Sequence, residues 1–92
     1  SYPYQMYSIK SRSGTISFKT PPSLPEHIKY LYPSAGTMNA VVDKKDIPAE
    51  TVLSKVNSVL PEADAIEQKA PSIEDLFILL ISEKEMQSGK VR

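Results

Sequence analysis

An α+β domain, with amphipathic helices over one face of a mainly antiparallel sheet of about four strands, is what this sequence predicts. Three observations point there. Short stretches alternate apolar and polar residues, other stretches carry apolar residues at helical spacing, and proline or glycine marks most of the junctions between them. The chain has 92 residues, 40% of them hydrophobic, which suits one small domain with a single modest core. Eight prolines against three glycines imply stiff connections. The expected plan is a two-layer sandwich, ferredoxin-like or a variant of it, over residues 5–83. Residues 1–4 read as a disordered lead-in, with Ser1 a tag remnant, and residues 84–92, rich in charge, Ser and Gly, as a flexible tail.

The first strand runs from Met6 to Ser11, where Tyr7 and Ile9 alternate with Ser8 and Lys10. Gly14 supplies the positive φ that a tight turn demands, and a second strand follows with Ile16 and Phe18 against Ser17 and Lys19. Pro21 and Pro22 stop it. Ser23-Leu24-Pro25-Glu26 then reads as a capping box, opening a short helix with Leu24, Ile28 and Leu31 on its inner face and Pro33 as its stop. Met38 to Val42 is a central strand with Met38, Ala40 and Val42 on one side.

Pro48 opens the next helix, whose apolar positions Val52, Leu53, Val56, Val59 and Leu60 form one stripe before Pro61. Asp64 to Lys69 is an edge strand by its position between two helices. The last helix is the most strongly signalled. Pro71 sets its boundary, Ser72 is the N-cap, and Asp75 three residues on completes a capping-box-like pair, with Glu74 and Asp75 both favoured by the macrodipole. Its apolar residues Ile73, Leu76, Phe77, Leu80 and Ile81 fall on one helical face, widened by Ile78 and Leu79, and this face is expected to pack on the core.

Eleven basic and eleven acidic side chains cancel and are dispersed, which argues against a nucleic-acid or anionic-membrane partner. The absence of Cys excludes disulfides and thiolate chemistry, and an unstapled small domain suits the cytosol. No apolar run reaches the length of a membrane span.

Catalysis has little to work with. Gly14, Gly36 and Gly89 never fall into the spacing of a phosphate-binding loop, so no nucleotide site is expected. His27, the single imidazole, reads as a surface residue of a helix, not a base or metal ligand. Glu74 and Asp75 are explained by capping, and Ser72 has no base beside it in sequence. The reading therefore assigns no catalytic, cofactor-binding or metal residue. Of the five tyrosines, Tyr7, Tyr30 and Tyr32 are expected as half-buried packing, and Tyr2 and Tyr4 as contacts to an upstream domain.

The heptapeptide Pro71-Ser72-Ile73-Glu74-Asp75-Leu76-Phe77 resembles the Pro-Ser-Leu-Glu-Asp-Val-Phe signature near the C-terminus of many bacterial ABC transporter ATPase subunits. Those proteins end in a small α/β accessory domain, and the elements from Pro48 to Lys69 are similar to its final helix and strand. Two departures stand out: Ile73 and Leu76 replace Leu and Val, and residues 32–46 hold one strand where the family often has two. The resemblance implies a non-catalytic C-terminal accessory domain of an ATP-binding subunit, cytoplasmic, at the inner face of the membrane. Its partners would be its own upstream nucleotide-binding domain, a second ATPase subunit and the membrane permease subunit, with a homodimer as a further arrangement. It needs no cofactor of its own, and ATP and Mg would belong to the parent's nucleotide-binding domain. The alternative reading is a small ferredoxin-like regulatory module that binds a metabolite between subunits. A third is an oligomerisation domain with no ligand.

Overall fold

The computed structural model describes residues 4–14, 16, 21, 23–34 and 37–91, the last seven through their backbone alone. The elements are β1 (Gln5–Lys10), β2 (Ile28–Ser34), β3 (Thr37–Val42), α1 (Ala49–Asn57), β4 (Ala65–Lys69) and α2 (Ile73–Val91). They form the expected α+β domain. The four strands make one sheet in the order β2-β3-β1-β4, with every neighbouring pair antiparallel.

The alternation read in the sequence places the core. Tyr7 and Ile9 of β1 and Met38, Ala40 and Val42 of β3 are buried on one face, where Val52 and Val56 of α1 and Leu60 close over them. These β-branched and aromatic side chains suit a pleated, buried surface. β3 is central and β4 an edge strand, both as expected. Two polar clasps fix the loops around this layer. The Asp64 carboxylate accepts from the Arg12 backbone N–H at 2.9 and 3.1 Å, joining the turn after β1 to the start of β4. Asn57 Nδ2 donates to the carbonyls of Pro61 and Ala63, which settles the chain leaving α1.

Of residues 24–32, expected as a helix, 24–27 lead through a turn and 28–32 belong to β2. The helical reading rested on Ile28 and Leu31 sharing a face three residues apart. They do share one, but through a β-bulge: Ile28 lies opposite Val42 and Tyr30 opposite Val41, so Lys29 is the extra residue. A bulge can imitate helical spacing over one turn. Pro33 is tolerated because β2 is an edge strand. The apparent capping box before it is a tight turn, in which the Ile28 N–H donates to the Pro25 carbonyl at 3.1 Å and His27 takes a φ of 71°.

Gly14 has the positive φ expected of it, at 94°. The strand read over 15–19 lies outside the described residues apart from Ile16, which is not in a strand. α2 continues through 84–91, read in sequence as a flexible tail. Glu83, Lys84, Glu85, Met86 and Gln87 are all good helix formers, and no proline interrupts them.

The helices do not share a face. α1 covers the Tyr7–Ile9 side, whereas Leu79 of α2 packs with Met6 and Val41, which alternate to the opposite side, together with Tyr4, Tyr30 and Tyr32. The placement follows from strand pleating: every second residue of β1 and β3 presents a surface that also needs cover.

Candidate functional site

The segment 71–77 does locally what its residue types dictate. The Asp75 backbone N–H donates to Ser72 Oγ at 3.1 Å, and the Ser72 N–H donates to Asp75 Oδ2 at 2.9 Å, a reciprocal capping box. The Leu76 N–H reaches the Ser72 carbonyl at 3.0 Å. Ser72 Oγ also donates to Asp75 Oδ2 at 3.0 Å, so its proton is occupied within the cap.

Asp75 has a second task that the sequence does not announce. Its side chain is 1% exposed, and Lys69 Nζ, from the end of β4, lies 3.0 Å from Oδ2. The Tyr32 hydroxyl of β2 donates to Oδ1 at 2.8 Å. Lys69 also donates to Asn39 Oδ1 of β3 at 3.2 Å. One carboxylate thereby ties the start of α2 to two strands, and through Lys69 to a third. Burial pushes the Asp75 carboxyl up, but the Ser72 backbone N–H, the Lys69 ammonium and the Tyr32 and Ser72 hydroxyls outweigh it and hold the pKa at about 2. Such a group stays ionised at neutral pH and is a fixed anchor, not a proton carrier.

Lys69, Tyr32 and Asn39 were missed in the sequence. They sit in three different strands, and only strand pairing brings them together: Tyr32 lies opposite Asn39 and Lys69 opposite Met6. The buried Asn39 Nδ2 finds no acceptor among the described residues.

This anchorage turns α2 the other way from the sequence expectation. Its sheet side carries Asp75 and Leu79, with Ile78, Ser82 and Glu83 half-buried. The residues expected in the core face out: Ile73 is 87% exposed, Phe77 62%, Leu80 60%, Leu76 42% and Ile81 41%. The physical reason is the mixed character of the receiving surface. Met6 and Val41 are apolar, but Tyr32 and Lys69 bring a hydroxyl and an ammonium to the same surface, and Asp75 satisfies both where an aliphatic stripe would leave them unpaired.

The flanks of α2 are pinned by weaker contacts. Ser34 Oγ donates to Glu74 Oε1 at 3.0 Å, and the Tyr4 hydroxyl donates to Glu83 Oε1 at 3.3 Å. Tyr4, assigned in sequence to the lead-in and to an upstream domain, is half-buried against this layer, with the Lys29 ammonium 5.0 Å from its ring centre. Tyr7 is fully buried, while Tyr30 and Tyr32 are half-buried as expected.

Elsewhere the side chains offer less chemistry. His27 lies in the turn before β2, not on a helix, with Nδ1 3.1 Å from Asp43 Oδ1. Among the described residues no group of three acidic, His or Cys side chains could hold a metal ion, and no helix is long and apolar enough to cross a membrane. A cavity of about 520 Å³ opens where β1 and β2 end and β3 begins, lined by Ile9, Ile16, Pro33 and Met38, with Lys10 as the charged group.

The most distinctive surface of the described residues is therefore the outward stripe of α2. No family model, curated protein or solved structure matches this chain.

Proposed function

We propose that this domain works by contact, as the non-catalytic C-terminal accessory domain of an ABC transporter ATP-binding subunit. In this role it packs against its own nucleotide-binding domain or the dimer mate and biases the association of the two ATPase halves beneath the permease, at the inner face of the membrane. Such coupling requires different contacts in the open and closed states.

The observation that supports contact is the exposure of Ile73, Leu76, Phe77, Leu80 and Ile81 along one side of α2. Together they leave on the order of 500 Å² of apolar surface open to water, the size of the largest patch on a typical monomer, which is often a functional surface. Roughly 10 kcal/mol of transfer free energy is left unrealised while that surface stays wet. The transporter assignment is supported by a different feature, the heptapeptide Pro71 to Phe77, whose last five residues lie in the same helix. In this reading ATP and Mg are handled by a nucleotide-binding domain elsewhere in the polypeptide.

Titration calorimetry with Mg-ATP tests the division of labour, with no saturable heat expected from this chain. Binding tighter than about 100 µM, or turnover, overturns it. The coding sequence upstream of residue 1 tests the transporter assignment separately. A Gly-rich loop followed by Lys and Ser or Thr is expected there, and a gene without one removes the assignment while leaving a contact module.

A further inference from the structure

We propose that α2 pairs with α2 of a second copy of this chain, antiparallel and about a two-fold axis near Phe77. The inference rests on the contact reading above and names the occupant of the exposed stripe.

A two-fold interface uses the same patch on both copies, so the patch must fit itself when reversed. The stripe meets that condition. Ile73 and Ile81 stand four residues on either side of Phe77, so reversal exchanges the two isoleucines and returns Phe77 to itself. Leu76 and Leu80 form a second row beside them, and under the same axis Leu76 of one copy falls about 3 Å along the helix from Leu80 of the other.

Area and charge agree with self-pairing. Two stripes brought together remove at most about 1,000 Å² from water, the size of a weak, reversible interface. Glu74 is exposed in the first turn of α2 and Lys84 is exposed beyond Ile81. Reversal brings Lys84 of one copy to about 6 Å along the axis from Glu74 of the other, within reach of the two long side chains. The chain has eleven positive and eleven negative side chains, so no net charge holds two copies apart.

Sedimentation velocity from about 5 to 500 µM should show a reversible monomer–dimer equilibrium with a midpoint inside that range, as expected of a small, weak interface. Phe77→Asp and Leu80→Lys should each weaken it at least about tenfold. Lys84→Glu should weaken it less, and adding Glu74→Lys should restore it. Orientation is read by cross-linking, since the natural chain has no Cys. Under mild oxidation F77C should form a disulfide dimer, and I73C should couple to I81C in a mixture but not to itself. A chain that stays monomeric throughout, or I73C coupling to itself, overturns the proposal. Neither result touches the contact reading, which fails instead if Phe77→Ala unfolds the monomer.

Discussion

The two faces of the sheet are covered in opposite ways. Over the Tyr7–Ile9 side, α1 presents Val52 and Val56 and joins a continuous apolar layer that, among the described residues, leaves no exposed remainder of comparable size. Over the Met6–Val41 side, α2 presents Asp75 and Leu79 and keeps most of its apolar residues for the outside. The first face is held by dispersion and water exclusion, which are non-directional. The second is held by a few directed bonds to one carboxylate. A helix attached by directed bonds can be placed with its oily side outward, because its seat does not depend on that side.

The largest expected effect lies on the α1 face. Ile9→Ala removes a fully buried side chain from β1 and should cost about 3–5 kcal/mol in urea unfolding followed by circular dichroism. A cost below about 1 kcal/mol would mean that this layer is not what holds the domain. Asp75→Ala comes next. It removes a helix cap and leaves Lys69 and Tyr32 without their anion, for a loss of about 3 kcal/mol. Hydrogen exchange should speed up in residues 73–83 ahead of β1 and β3, and uniform loosening of the whole sheet would erase the distinction between the faces.

Acid should reproduce part of that loss. The Asp75 carboxyl is held at about 2, below its ordinary 3.8, so its contribution is fully present above about pH 4 and is lost as pH falls from there through about 2. The difference amounts to about 2 kcal/mol. Stability of the natural chain should therefore fall more steeply over this window than that of Asp75→Ala, and parallel curves would contradict the anchor. The smallest effect belongs to the residue that the sequence puts in the core. Phe77→Ala should change stability by less than about 1 kcal/mol at concentrations where the chain is monomeric. A loss of about 3 kcal/mol would return Phe77 to the interior and remove the contrast.

Much of the fold was legible because strand and helix periods leave marks in sequence. The Tyr7/Ile9 and Met38/Ala40/Val42 alternations gave β1 and β3, the Val52–Val56 spacing gave α1, and the Ser72–Asp75 pair gave the start of α2. β2 was hidden because one extra residue, Lys29, converts a period of two into a spacing of three. The orientation of α2 was hidden for another reason. Periodicity says which residues share a face, but not which face the sheet will accept, and that choice rests on Lys69, Tyr32 and Asn39 in three separate strands. The stripe was readable as a stripe, and its exposure only once those strands were paired.

The bulge in β2 makes Lys29 spare as far as the sheet is concerned. Take it out, and Ile28, Tyr30, Leu31 and Tyr32 fall into unbroken alternation against Val42, Val41, Ala40 and Asn39, each keeping the side it already occupies. The ammonium of this extra residue stands 5.0 and 5.7 Å from the ring centres of Tyr4 and Tyr30. The bulge thus sets a cation above two aromatic rings on the side of the sheet where α2 sits, and gives Tyr4, which precedes β1, a hold there that backbone pairing alone would not supply.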